Sequence, residues 1–375
     1  MAYTITMLSW SVVEFGRTPG PTRVIKCSML SDGEPGYLIK AHREPDVLYG
    51  EVGDGVSDHA CWQRPEDMTT PRTAYRIDAQ HPGADLAGRN NRRFCRLHCF
   101  QELGPRYSFT LLNNAKMYGL DPIRFLKDLR VMRIKLGTLL FDFARNHPGV
   151  YQNSIPVAGQ FYTSSGYEDE LVWAAAWLER ATNNKTYTQF ITRAPNLWRT
   201  RKYFSWDAKF VGAQVLIAKG VLEGKFPTRG KLGQMKGNAD QYICNLIQKE
   251  KQCAQDKWWT SLVSTRNNQV DYILGSNPNR LSYMVGFGPN YPKQVHHRGA
   301  SIVSIKKDPR PVGCGQGYVE WFNKNAENPN VIIGAIVAGP DQGDKFNDSR
   351  QNPGQTEPST YNNAPFVGVL ARLAS

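Results

Sequence analysis

The chain has 375 residues, with 46 Lys and Arg against 33 Asp and Glu, a formal net charge of +13. Hydrophobic residues at 41% and charged residues at 21% supply enough apolar surface for a core, which excludes a disordered or collagen-like chain. No run of about 18 apolar residues occurs, so no membrane-spanning helix is expected.

The opening Met1-Ala-Tyr-Thr-Ile-Thr-Met-Leu-Ser-Trp10 has no basic n-region and no small-residue cleavage site, and does not read as a signal peptide. Asp58-His-Ala-Cys-Trp-Gln-Arg-Pro-Glu-Asp67 carries aromatic and ionisable residues and reads as a loop. Glu168 to Thr182 predicts a helix. Its three leading acids suit a helix N-terminus, and Trp173 and Trp177 fall one turn apart on an Ala-rich face. Val211 to Leu222 and Asn268 to Leu274 read as helices too, and Gly339 to Ala364 as a long loop. Helices joined by loops that hold the reactive side chains predict an all-α scaffold whose loops build a site. The seven Cys are odd in number and scattered, and Cys95-x-x-x-Cys99 lacks a second pair at zinc spacing. Neither a zinc site nor a disulfide framework is expected.

Three groupings carry chemistry. The C-terminal loop sets Asp344, Asp348 and Glu357 among Phe346, Arg350 and Tyr361 without helical period. Such carboxylates can act as general acid and base on a glycosidic bond when their environments separate their pKa values. Taken alone they equally fit a solvated acidic loop or a calcium site. Val295-His-His-Arg-Gly299 places two imidazoles beside a guanidinium, a grouping that alone also fits surface residues. Trp62, Phe161, Tyr162, Trp206 and Trp258-Trp259 fall in or near loops, where flat rings can stack on sugars. About half of such rings should instead be packing residues.

Together these stretches resemble glycoside hydrolase family nine, and within it the plant endo-β-1,4-glucanases. Ser282-Tyr-Met-Val-Gly-Phe-Gly-Pro-Asn-Tyr-Pro-Lys-Gln-Val-His-His-Arg298 is similar to the family's histidine signature, and Phe346-Asn-Asp-Ser-Arg350 through Glu357-Pro-Ser-Thr-Tyr-Asn-Asn-Ala364 to its second. The resemblance implies an (α/α)6 barrel and inverting hydrolysis of β-1,4-glucan. It implies Glu357 as general acid, Asp348 as supporting carboxylate, and His296 and Arg298 as groups that hold substrate. His59, Trp62, Phe161, Tyr162, Trp206, Asp207 and Tyr361 would line the glucan cleft. It further implies a secreted, monomeric cell-wall enzyme with no cofactor, no metal and no nucleic-acid or membrane partner. A non-catalytic glucan-binding protein is the rival reading, since the family's base aspartate lies in a Tyr-Asp-Ala-Gly-Asp type motif just upstream of the segment resembling Met1 to Phe15.

A single catalytic domain over 1–375, lacking its N-terminal portion, is therefore expected, with foreign segments at 89–104 and 117–138 and a shortened stretch at 248–267. Arg89 to Gly104 and Met117 to Thr138 each carry a net +3, so much of the basicity belongs to the foreign segments and not to an anion-binding surface. Read one nucleotide out of frame, Arg89 to Gly104 can encode the Glu-Thr and Ala-rich helix that the family has there, which the coding DNA would test.

Overall fold

The computed structural model describes residues 1–15, 41–42, 44, 46–90, 137–197, 199, 204–226 and 269–373. Apart from their edges at 89–90 and 137–138, the segments 89–104 and 117–138 that were expected to be foreign lie outside the described residues, as does 248–267. The chain forms two compact units: Met1–Glu51 with Ala74–Ala254 and Val367–Ser375, and Val52–Thr73 with Gln255–Phe366.

The first unit holds most of the regular structure: α1 (Ala2–Phe15), β1 (Leu48–Val52), β2 (Ala74–Ile77), α2 (Ala84–Asn90), α3 (137–146), α4 (Glu168–Thr182), α5 (Lys185–Arg193) and α6 (Phe210–Leu222). The two strands pair in one short sheet, a small addition to a helical unit. Helix α4 covers the predicted span, with its three acids in the first turn and Arg180 in the last. It ends at Asn183, whose φ of 54° is the left-handed stop. Asp169 to Glu179 are all buried, and α2, α5 and α6 pack against the helix. The Ala174-Ala-Ala176 run keeps its waist thin enough for neighbours to close in. Trp10 of α1 meets Trp173 and Trp177 with centroids 5.4 and 5.8 Å away. Gly212 of α6 admits this cluster, because a Cβ there would lie 2.6 Å from the Phe204 ring and 2.7 Å from the Trp173 ring. Glu14 accepts from Trp10 Nε1 at 3.1 Å and pairs with Arg180 at 2.9 Å and with Lys219, which ties α1 to α4 and α6.

The second unit consists mainly of loops and single turns, Gly55–His59, Arg298–Ser301, Cys314–Gly317, a π turn Tyr318–Phe322 and Pro353–Thr356, followed by the start of α7 (Thr360–Leu373). Loops this long must place their backbone polar groups somewhere, and asparagine side chains take many of them. Asn330 donates to the carbonyls of Gly299 and Ile302, and Asn328 to that of Val295. Asn363 both donates to the Gly334 carbonyl and accepts from the Ile336 amide. Two small apolar clusters, one around Tyr283, Val285, Val295 and Val337 and one around Trp62, Ile302 and Val312, complete the unit. Among the described residues no helix is long and apolar enough to cross a membrane.

Candidate active site

The second unit holds Asp58, His59, Trp62, His296, Arg298, Asp348, Glu357 and Tyr361, and contacts join Asp58 to Arg298 and Trp62 to His296 across more than two hundred residues of sequence. Asp348 accepts the amides of Lys293 at 2.7 Å and Gln294 at 3.0 Å, so its carboxylate fixes the backbone that leads into the His-His-Arg stretch. His296 is clamped at both ends of the loop that delivers Glu357. Its amide donates to the Thr356 carbonyl at 3.1 Å, and its Nδ1 lies 2.6 Å from the Arg350 carbonyl. A carbonyl only accepts, so Nδ1 carries the proton and Nε2 of the neutral ring is the acceptor. The ring sits edge-on to Trp62 at 4.9 Å and near Phe322 at 6.0 Å.

Arg350 underlies this loop. It is 2% exposed, and its guanidinium donates to the carbonyls of Trp321, Phe322, Lys324 and Ala326 and to the Asn328 side chain. Thr356 adds a hydroxyl donor to the Ser349 and Asn352 carbonyls, 2.9 and 2.8 Å away. Glu357 follows in extended conformation, exposed, with its amide on the Pro353 carbonyl. Its carboxyl is thus presented to solvent from a braced backbone. Tyr361 is exposed on the first turn of α7. Asp344 has a different fate. It accepts the Tyr272 hydroxyl and by that bond pushes the Tyr272 pKa far up.

Across the same unit, Arg298 is held by Asp58, with Nη1 3.0 Å from the carboxylate and Nη2 on the carbonyl. The pair is partly exposed, so it orients Arg298 more than it stabilises the unit. His59 is exposed and donates from Nδ1 to the Gly55 carbonyl at 2.7 Å, which again leaves Nε2 as acceptor.

The remaining predicted residues lie in the first unit. Tyr162 is 58% exposed and meets Trp206 edge-on at 6.0 Å, and Phe161 is exposed beside it in sequence. Asp207 accepts the Ser165 amide on both oxygens at 3.2 Å. Below them Lys209, fully buried, donates to the Trp206 carbonyl and lies 3.6 Å from the equally buried Glu170. A buried ion pair thus holds the Trp206-Asp207 loop in place.

Residues 1–118, 136–265 and 254–370 match the sequence profile of Glycosyl hydrolase family 9. The chain belongs to that family. Endoglucanase 15 of Arabidopsis thaliana is 44% identical over 430 residues, across all of this chain and 81% of its own length. The endoglucanase of the termite Nasutitermes takasagoensis, solved at pH 2.5, is 31% identical, with a TM-score of 0.74 over 100% of this chain and 84% of that one. Endoglucanase CelQ of Clostridium thermocellum, solved with cellobiose and cellotriose, is 21% identical with a TM-score of 0.70, over 100% of this chain and 61% of that one, and shows the fold alone. The fold is the helical catalytic-domain fold of family 9, as the (α/α)6-barrel reading expected.

Within the family 9 chain two expectations change. Cys61 and Cys314 form a disulfide, with Cα atoms 4.5 Å apart, where scattered cysteines had indicated none. The 253-residue separation hides it, because no local spacing announces a bridge between two distant loops. Trp62, expected to offer a stacking face, is 4% exposed; its Nε1 donates to Ser301 at 3.0 Å and its ring lies 4.6 Å from Phe322. It backs His296 and Arg298 instead. Beside it Arg64, also buried, bonds Asp67 at 2.5 Å and the carbonyls of Asp308 and Arg310 at 2.7 and 2.6 Å. That hydrogen bond holds the Asp67 carboxyl below the usual range. Arg64 and Lys209 escaped the sequence reading, and Arg350 was named there without its bracing role, since a buried cation paired with carbonyls leaves no signature in its neighbours. Among the described residues no three His, Cys, Asp or Glu side chains converge as metal ligands.

Proposed function

We propose that the chain hydrolyses β-1,4-glucosidic bonds of cellulose or related cell-wall glucans by an inverting mechanism, with Glu357 as general acid. The observation that carries the reading is the braced loop from Asp348 to Glu357. Asp348 fixes the 293–294 backbone, His296 spans from Arg350 to Thr356, and Glu357 emerges exposed from the end. Such bracing suits a group that must meet one oxygen of a bound chain with little reorganisation.

In this reading Glu357 gives its proton to the leaving glycosidic oxygen, and His296 and Arg298 hold the sugar. A second carboxylate must activate water on the opposite face, roughly 6.5–9.5 Å from the acid. The resemblance places it in the motif upstream of the segment that corresponds to Met1 to Phe15, and no residue of this chain is given the role. Tyr162 offers an exposed aromatic ring of the kind that stacks on sugars, and the 44% identity to Endoglucanase 15 supports a glucan substrate. Export to the cell wall belongs to the same proposal. The Cys61–Cys314 bridge supports it, since disulfides persist in oxidising compartments.

The test is reducing-sugar release from carboxymethyl-cellulose by the chain and by Glu357→Gln. Turnover that falls about 10²- to 10⁴-fold in the variant is expected. Glucan binding by the unmodified chain with no turnover would replace hydrolysis by the rival reading of a glucan-binding protein.

A further inference from the structure

The sequence holds two Asn-X-Ser/Thr triplets with X other than Pro, Asn184-Lys-Thr186 and Asn347-Asp-Ser349. The fold treats them differently. Asn184 begins the connection after α4, just beyond the left-handed Asn183, and residues 183–186 are all exposed. Its side chain caps α5, with Oδ1 accepting the Thr186 amide at 3.0 Å. Asn347 precedes Asp348 in the braced loop of the candidate site; its amide donates to Gln355 and its carbonyl accepts from Ser349. Both asparagines are exposed, but a bulky group on Asn347 would stand next in sequence to the carboxylate that fixes the His-His-Arg stretch, whereas Asn184 lies on an exposed turn that carries no residue of the candidate site.

We propose that Asn184 is an N-linked glycan acceptor. The inference rests on the export reading, to which the Cys61–Cys314 disulfide gives independent support. The donor is an oligosaccharide on a lipid diphosphate, with the secretory membrane's transferase as catalyst. Nδ2 of Asn184 forms a bond to the anomeric carbon, the bond from that carbon to the diphosphate oxygen breaks, and one amide hydrogen leaves as a proton. The substitution is at nitrogen, so Oδ1 stays a carbonyl oxygen and the cap on Thr186 survives. A glycan here therefore adds a large polar group at no cost to α5.

The full chain behind a cleavable leader, translated with microsomal membranes in an Asn347→Gln background, tests this. The leader separates acceptor chemistry from the question of natural export, and only the protease-protected product is scored. One mobility shift reversed by peptide N-glycosidase is expected, lost completely in Asn184→Gln and Thr186→Ala and retained in Thr186→Ser. Transfer precedes folding, so misfolding of a variant does not blur the result. A protected chain without the shift, or a shift that persists in Asn184→Gln, overturns the proposal. On the folded, secreted protein the glycosidase should also act without denaturant, because the turn is exposed; resistance until unfolding would contradict the placement.

Discussion

Replacing Arg350 by Met keeps the apolar stem and removes the guanidinium. Nη1 donates at 3.0, 3.0 and 2.8 Å to the carbonyls of Trp321, Phe322 and Lys324, Nη2 at 2.8 Å to that of Ala326, and Asn328 Oδ1 accepts from both Nε and Nη2 at 2.9 and 2.6 Å. Backbone carbonyls and the Asn328 side chain take its hydrogen bonds, and the nearby Asp348 carboxylate adds an opposite charge. A hydrogen bond to a charged group contributes about 1.5–3 kcal/mol, but five acceptors in one loop do not add, and burying the cation has its own cost. A net loss of about 4–5 kcal/mol is expected, near the upper end for one substitution. Arg350→Lys keeps the charge, yet one ammonium cannot span the acceptors of a fork, and it should lose about half as much. Urea unfolding followed by tryptophan fluorescence reads both, with Trp62 and Trp321 reporting from this unit. Both variants within about 1 kcal/mol of the parent would show that the cage does not hold the loop.

Other substitutions probe the remaining supports. A Cβ on Gly317 would lie 1.5 Å from the Trp62 carbonyl oxygen, so Gly317→Ala should cost about 3 kcal/mol or more, whereas Gly313→Ala, open on all sides, should stay within about 0.5 kcal/mol by thermal melting. Lys209→Met removes the buried cation 3.6 Å from Glu170 and should cost about 3–5 kcal/mol; adding Glu170→Gln should recover part of it in a double-mutant cycle. Burial pushes the Glu14 carboxyl up, but the Lys219 hydrogen bond and the Arg180 and Lys219 charges outweigh it and set the pKa below the usual value. A depressed carboxylate stabilises fully above its unfolded pKa of about 4.3 and loses that contribution as pH falls through the folded value. Glu14→Gln should therefore be less stable at neutral pH and lose less stability between pH 5 and acid, as acid titrations of unfolding would read.

Local signals carried much of this structure. Acids, alanines and the Trp173–Trp177 spacing announce α4, because a helix is specified by residues within a few turns of one another. The Gly/Pro/Asn content of 339–359 marks a loop for the same reason, but the expected loop ran on to Ala364, whereas α7 already starts at Thr360. His296, Asp348 and Glu357 could be singled out because reactive side chains crowd short loops there. What stayed hidden depends on long-range meetings. Trp62 is buried only because Phe322 and Ser301 arrive from far along the chain. Arg350 looks like a solvated loop residue until the carbonyls of 321–326 turn toward it. The strands Leu48–Val52 and Ala74–Ile77 are too short for alternation to stand out.

The Cys61–Cys314 bond gives the polypeptide the connectivity of a ring with two tails, Met1 to Ala60 and Gly315 to Ser375. A single proteolytic cut anywhere between the two cysteines opens the ring without releasing a piece. Such nicked molecules should migrate near full size on a non-reducing gel and separate into fragments only with a reductant. The tail that carries Arg350 and Glu357 would remain covalently joined to the Cys61–Trp62 corner after any such cut.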